Sequence, residues 1–408
     1  MAGPLDGIKV VEVALWGFVP SAGGVLADWG ADVVKIEHAR TGDPQRGLTR
    51  MGEFVMGTPN PAWEHPNRGK RSIGLDLAHP DGRAVLMDLV RDADVFLTSF
   101  LPAARRKLGI EVDDIRAENP SIIYARGSAL GSEGDECEAG GYDMTAFWAR
   151  ASTAMSITPR DIDGMIGPPG PAYGDTISGT NLAGGVAAAL VKRLRTGETS
   201  VVDVSLLHSG VWSLGMGITA SMAAGKPWLG LPLSTRAAMA NPLTGVYKTS
   251  DGRFISLVML QPGRYWAGVC RLIERPELIE DPRFATVEAL AENAVVASDI
   301  LAEVIAAQPM EVWARRFATQ DGPWAPVQDS IQAANDPQVR ANGMILPVVD
   351  EAGEPTGYEL VASPVRFDQT APVLHRAPEF AEHTELVLMD LGIDWDRIAA
   401  LKDSGAIT

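Results

Sequence analysis

The chain has 408 residues, with 35 Lys and Arg against 52 Asp and Glu, for a formal net charge of −17 at pH 7. That balance excludes a general nucleic-acid binder, which needs a basic face for phosphate, but leaves room for an anionic small molecule held by a local basic patch. Hydrophobic residues at 46% and charged residues at 21% suit a globular enzyme of two domains, and two cysteines, Cys137 and Cys270, supply neither a disulfide framework nor a zinc site.

No basic-then-apolar leader opens the chain and no apolar run has membrane-spanning length, so a cytoplasmic protein without membrane contact is expected. Residues 8–15 read as a buried strand, 20–29 as a helix stopped by Gly30, and 31–37 as a second strand. A strand–helix–strand unit with short links implies a parallel sheet and an α/β fold. The turn at 15–20 lacks Gly-x-Gly-x-x-Gly, so a dinucleotide site is poorly supported, although the bulky turn could line a pocket at the carboxyl end of its strand. Residues 39–68 read as a long irregular loop, a length that points to function. Strands are expected at 93–100 and 121–126, and helices at 80–91 and 102–108. Basic residues at 68–71 and 105–107 each adjoin a strand. Singly they read as solvated faces; together they are better explained by a phosphate-bearing ligand.

A helix is expected from Gly141 toward Met155, followed by a loop with Pro168, Pro169 and Pro171 that leads to Gly174-Asp175. The helix after it is rich in small residues (Gly179, Ala183, Gly184, Ala187, Ala188), with Lys192, Arg193 and Arg195 in its last turn and Gly197 at its stop. Asp175 occupies the expected N-cap, where the helix end favours an ionised carboxylate. It is either a simple cap or a carboxylate nucleophile beside a glycine that leaves room for a carbonyl. A strand at 200–207 passes into an apolar stretch, 209–225, whose Trp212, Met216 and Met222 read as core. Past residue 225 the pattern changes. Residues 245–249 and 253–258 alternate around Ser250-Asp251-Gly252 as a hairpin, and helices follow at 263–274, 286–307 and 310–318. This reads as a smaller α+β domain, 226–325, after a larger α/β domain that begins with residues 1–220. Strand-like segments at 344–349 and 357–367 and a helix at 382–391 complete the chain.

Several stretches together resemble the class III CoA-transferase family, which includes formyl-CoA transferase, carnitine CoA-transferase and α-methylacyl-CoA racemase. They are Gly30-Ala31-Asp32-Val33-Val34-Lys35-Ile36-Glu37, Gly42-Asp43-Pro44, Asn67-Arg68-Gly69-Lys70-Arg71-Ser72-Ile73-Gly74-Leu75-Asp76, Ala93-Asp94-Val95 with Phe100, and Asn119-Pro120-Ser121-Ile122-Ile123-Tyr124. Gly141-Tyr142-Asp143, Gly174-Asp175, Val202-Asp203-Val204-Ser205-Leu206-Leu207, Asp336-Pro337-Gln338-Val339-Arg340-Ala341 and Glu382-His383-Thr384 continue the series. Each piece is weak alone; the ordered set, spanning nearly the whole chain, is specific.

The resemblance implies a doubly wound parallel-sheet large domain, a smaller α+β domain, a C-terminal segment (326–408) returning to the large domain, and an interlocked homodimer. It makes Asp175 the catalytic carboxylate, which would carry a mixed anhydride and then an aspartyl-CoA thioester. CoA or acyl-CoA is then a substrate, with no tightly bound cofactor and no metal. By position, Trp16 and Gly17 border the thioester, with Gly17 where formyl-type transferases have Gln. His38 and Lys107 match basic positions near the CoA phosphates, His38 being equally readable as a surface histidine. Leu75 and Phe100 match apolar neighbours of the adenine, or core. Ser99 replaces a common Asn. Asp143 matches an acidic position behind the contact residues, or simply starts a helix.

Two departures stand out: Ser234–Pro242 contains no glycine run where formyl-type relatives have a glycine-rich loop, and His208, expected to be packed and hydrogen-bonded, stands where many relatives have Asp. A racemase of 2-methylacyl-CoA thioesters is the alternative activity, and a non-catalytic acyl-CoA-binding protein a third reading. Racemases have Gly-His-Asp where this chain has Gly141-Tyr142-Asp143, and a phenol is a poor substitute for an imidazole base near neutrality. Trp148, Trp212, Trp228 and Trp266 hint at a roomy apolar acyl pocket, for a fatty, aromatic or steroid-derived acid, or else pack in the core.

Overall fold

Valine- and isoleucine-rich runs at the start of the chain form the inner strands of a parallel sheet in the computed structural model, which describes residues 3–233 and 240–408. In chain order the strands are β1 (Lys9–Val13), β2 (Asp32–His38), a two-strand hairpin of β3 (Arg50–Met51) and β4 (Phe54–Val55), then β5 (Arg71–Leu75), β6 (Val95–Thr98), β7 (Ile123–Ser128) and β8 (Val201–Ser205). Six of them form one sheet in the order β5-β2-β1-β6-β7-β8, every pair parallel. Parallel strands bring their carboxyl ends to one rim. The strand order reverses between β1 and β6, and such a reversal opens a crevice at that rim.

Side chains alternate between two covered faces, as period-2 strands buried on both sides must. Val11, Val13, Val34, Ile36 and Phe96 meet the Pro80–Arg91 helix and the C-terminal helices Thr384–Asp390 and Trp395–Asp403. Val10, Val33, Val95, Leu97 and Ile123 meet α1 (Phe18–Asp28) and the long Tyr173–Thr196 helix. The α/β class with a parallel sheet is therefore as expected, with helices on both faces. Small residues set how closely α1 and the long helix approach. A Cβ on Gly179 would lie 2.6 Å from Ser21 Cβ and 2.8 Å from the Phe18 carbonyl oxygen, so any larger side chain there would push the two helices apart.

The chain divides into two compact units, Met1–Ser156 with Gly167–Trp228 and Pro337–Thr408, and Ile157–Ile166 with Leu229–Asp336. The second unit thus also takes in 157–166 and extends through Asp336 rather than stopping at 325. Within it, Thr244–Lys248, Phe254–Val258 and Trp324–Pro326 form an antiparallel sheet around the expected hairpin. Tyr247, Ile255, Trp266, Trp313 and Phe317 are buried at its core. The helix expected over 286–307 is two, Val287–Glu292 and Ala294–Ala306. They part at Asn293, whose side-chain amide donates to the Ala289 carbonyl at 2.9 Å.

Two other expectations change in the first unit. The loop at 39–68 contains the β3–β4 hairpin and a helix, Pro61–Asn67, started by Pro61 and capped by Asn60. The apolar stretch 209–225 is not core: its helices Leu206–Ser213 and Gly215–Ala224 leave Trp212 77% and Met216 92% exposed. The C-terminus closes on the sheet, where Thr408 N–H donates to the Gly74 carbonyl at 3.2 Å.

Candidate active site

The turn after β1 delivers Trp16 and Gly17 to the rim where the strand order reverses. Trp16 has φ 67°, left-handed backbone that a bulky residue adopts only at a cost of about 1–3 kcal/mol. Three ties hold the turn. Leu15 N–H donates to Ser99 Oγ at 3.0 Å, Trp16 N–H donates to Asp43 Oδ1 at 3.3 Å, and Ser21 Oγ donates to the Gly17 carbonyl at 2.6 Å. The Tyr142 ring stands edge-on to Trp16 with centroids 5.8 Å apart.

Asp175 reaches this turn from the long helix. It is not the N-cap. The helix begins at Tyr173 behind Ala172, whose φ is 54°, and Asp175 is the third residue of the first turn. The physical reason is that Pro168, Pro169 and Pro171 keep the preceding chain extended, so the helix starts as soon as they end. Asp175 and Gly17 are in close apposition: a Cβ on Gly17 would sit 2.7 Å from Asp175 Oδ2. On the other side, a Cβ on Gly174 would meet Phe147 Cγ at 2.6 Å and Asp143 Cβ at 3.1 Å. Both glycines are thus sites of close approach, one to the carboxylate and one to the wall behind it. Burial pushes the Asp175 carboxyl up to about 7, and the negative charge of Asp143 adds to that. The simple expectation of a carboxylate fully ionised by the helix end gives way because desolvation outweighs the helix field.

Among the other expected residues, Ser99 and Phe100 follow β6 at the same rim. Ser99 serves the β1 turn, and Phe100, partly buried, packs against the core. His38 ends β2 and is exposed; its Nδ1 lies 3.1 Å from Thr41 Oγ1. Lys107 is exposed on the Pro102–Leu108 helix. Leu75 is wholly buried in the core and bridged by Ile407. The two basic clusters do not form a free phosphate patch. Arg68 pairs with Asp28 at 2.7 Å, Lys70 with Glu12 at 2.7 Å, Arg71 with Asp32 at 2.6 Å, Arg105 with Glu111 at 3.2 Å and Arg106 with Glu138 at 2.9 Å. His208 is exposed rather than packed. Of the glycine-poor segment, residues 234–239 lie outside the described residues.

Beneath the Trp16 turn lies a buried ion cluster; Lys35, Glu37, Asp43 and Lys70 fall in the family-like stretches, but the sequence assigned them no shared role. Lys35 Nζ is 3.1 Å from Glu12 Oε1 and 2.9 Å from Asp43 Oδ2, and Lys70 Nζ is 2.7 Å from Glu12 Oε2. Glu37 closes the group, accepting from Asp43 N–H at 3.0 Å and from Arg46 at 2.7 Å. A signal was present in the strands: Glu12 and Lys35 each interrupt an apolar run, and the β1–β2 register sets them opposite one another. Among the described residues the candidate metal-type group Glu351, Glu382 and His383 is already engaged by Arg376, which pairs with both glutamates, and His383 Nε2 lies 2.7 Å from Glu351.

A sequence model of CoA-transferase family III matches residues 5–384. The chain belongs to that family. It is 30% identical to the (R)-2-hydroxy-4-methylpentanoate CoA-transferase of Clostridioides difficile over 99% of each chain. A CaiB/BaiF family protein from Brucella suis superposes with TM-score 0.80 at 27% identity, covering 96% of this chain and 100% of that one. A Mycobacterium tuberculosis relative, crystallised as an aspartate-to-alanine variant, superposes with TM-score 0.77 at 28% identity, covering 95% and 99%. As a family III CoA-transferase, this enzyme takes CoA thioesters as substrates. Among the described residues of the transferase, no helix is long and apolar enough to cross a membrane.

Proposed function

We propose that this transferase moves CoA from an acyl-CoA to a carboxylic acid through covalent intermediates on Asp175. The carboxylate attacks the thioester carbonyl, giving a mixed anhydride and CoA thiolate. The thiolate attacks the Asp175 carbonyl, releases the first acid and leaves an aspartyl-CoA thioester. The incoming carboxylate attacks that thioester, again giving an anhydride and thiolate, and the thiolate then attacks the new acyl carbonyl to regenerate Asp175. The observation that carries this reading is a partly buried carboxylate pressed against Gly17 at the crevice of the sheet, with its basicity raised toward neutrality.

Further support is geometric. The first-turn N–H groups of the Tyr173–Thr196 helix have no partner within the helix, which suits them to a developing oxyanion. CoA would lie along the carboxyl rim, with Trp16 and Gly17 at the thioester, Ser99, Phe100, Tyr142 and Asp143 around it, and His38 and Lys107 toward the phosphates. Leu75, wholly buried, would support the rim from below. Tyr142 in place of histidine favours transfer over racemisation. The exposed Trp212 and Met216 suit a covered subunit face in an interlocked homodimer; light scattering that gave the mass of a single chain would end the dimer reading.

The test is identity exchange: an acyl-CoA is mixed with its own acid carrying ¹³C, and label is followed into the thioester. Exchange needs no knowledge of the physiological pair. It should occur with the enzyme and fall at least roughly 1000-fold in Asp175→Asn, the scale of losing a nucleophile. Full exchange in that variant would end the proposal. Because the ionised form attacks, kcat/KM should rise with pH through about 7 and level off above it. Asp143→Asn removes a like charge and should move that inflection to lower pH; an upward shift or none would contradict the coupling.

A further inference from the structure

A cavity of about 820 Å³ opens beside the Asp175 end of the long helix, inside the first unit. Its floor is the proline-rich segment with Pro168, Pro171 and Ala172, and Asp143 and Met144 form an edge. Asp143 packs against the residue before Asp175, where a Cβ on Gly174 would lie 3.1 Å from Asp143 Cβ, so this edge adjoins the first turn that carries the carboxylate. The facing wall is the β3–β4 hairpin with Phe54, Val55 and Met56. These are large apolar groups with little cover of their own: Phe54 and Val55 are each 76% exposed and Met144 is half exposed. Isolated apolar side chains on a surface need no explanation, but several converging on one concavity do. The volume falls within the usual range of small-molecule pockets.

Charge narrows the occupant. The described residues that line the cavity include Glu53 and Asp143 and no lysine, arginine or histidine. A second carboxylate on the acyl group would be desolvated there without a cation and would face two acidic side chains. The tryptophans that suggested an acyl pocket in the sequence are elsewhere. Trp148 is buried in the first unit, Trp266 in the core of the second, and Trp212 and Trp228 are exposed; none lines this cavity.

We infer that this cavity is the acyl pocket, and that it accepts bulky apolar monocarboxylic acyl groups, medium-chain or aryl, and rejects dicarboxylic ones. The inference rests on the reading of Asp175 as the nucleophile and adds the substrate class. Thioester and acid of a suitable pair would each place their apolar part here in turn while the carboxyl carbon meets Asp175.

Identity exchange with octanoyl-CoA, phenylacetyl-CoA, acetyl-CoA and succinyl-CoA, each with its own labelled acid, tests it. The expected result is a kcat/KM for octanoyl or phenylacetyl substrates roughly 100-fold above that for succinyl, the scale at which a poorly matched pocket discriminates. Met144→Arg places a cation at the edge and should raise succinyl exchange while lowering octanoyl exchange. Phe54→Ser, at a site exposed enough to tolerate it, should lower octanoyl exchange about tenfold. Succinyl or acetyl exchange equal to octanoyl exchange would overturn the substrate class while leaving Asp175 catalysis standing. Absence of exchange with all four substrates would instead remove the reading of Asp175, and this inference with it.

Discussion

Gly17→Ala should cut acyl exchange roughly 100-fold while leaving the fold intact. The backbone at Gly17 is ordinary helical, φ −88° and ψ −43°, so alanine brings no strain there. The added methyl would lie 2.7 Å from Asp175 Oδ2 and 3.3 Å from its Cγ. The group that must yield is the free end of a side chain, which can rotate away cheaply as far as stability is concerned. Its rotation costs chemistry, because a nucleophile displaced by an ångström loses its line of attack. The measurement pairs identity exchange with a urea unfolding curve. Near-normal exchange would show that Asp175 does not react from its position against Gly17. A collapse in stability would show that the glycine serves packing instead.

The second large effect concerns the charges below that turn. Glu12 is the carboxylate shared by Lys35 and Lys70, all three buried. Burial, together with the nearby Lys35 charge, pulls the Lys70 ammonium down to about 8 in spite of Glu12. Glu12→Gln would leave Lys70 with the Pro20 carbonyl and the Asn67 side chain but no counter-ion. An orphaned buried charge of this kind costs about 3–5 kcal/mol. Lys70→Met alone should also destabilise, since Glu12 would then face Lys35 only. The double variant Glu12→Gln with Lys70→Met leaves the Lys35–Asp43 pair, at 2.9 Å, balanced, and should recover most of the loss. Strong non-additivity of this sign, read from denaturant midpoints, is the signature of a coupled pair. Simple addition of the two losses would show that the cluster is not held by that pairing. The same cluster matters to the site because Asp43, anchored by Lys35, accepts the Trp16 N–H and helps hold its left-handed backbone.

Much of the fold was legible because it rests on local pattern. The apolar runs of β1 and β2 with a short helix between them imply a parallel sheet, and the residues around Ser250-Asp251-Gly252 imply a hairpin. Asp175 stood out because an acidic residue between a proline-rich loop and a small-residue helix is a local feature. The start of that helix was misjudged by three residues, since the prolines end sooner than a capping rule suggests, whereas its stop at Gly197 is as expected. The basic clusters misled for a different reason. A charge is visible in sequence, but its counter-ion is not: Asp28, Asp32 and Glu111 neutralise those residues from other elements.

By itself the sequence determined the α/β class, the family, the hairpin of the second unit and the candidate nucleophile, because periodicity and turn chemistry act over a few residues and an ordered series of motifs survives divergence. Tertiary structure alone decided that Gly17 presses on Asp175, that burial raises that carboxyl toward neutrality, and that Glu12 neutralises two lysines. It also decided that an apolar hairpin and a proline loop, more than a hundred residues apart, enclose one cavity. Those properties depend on distance and on exclusion of water, and both are set only when strands and helices far apart in the chain pack together.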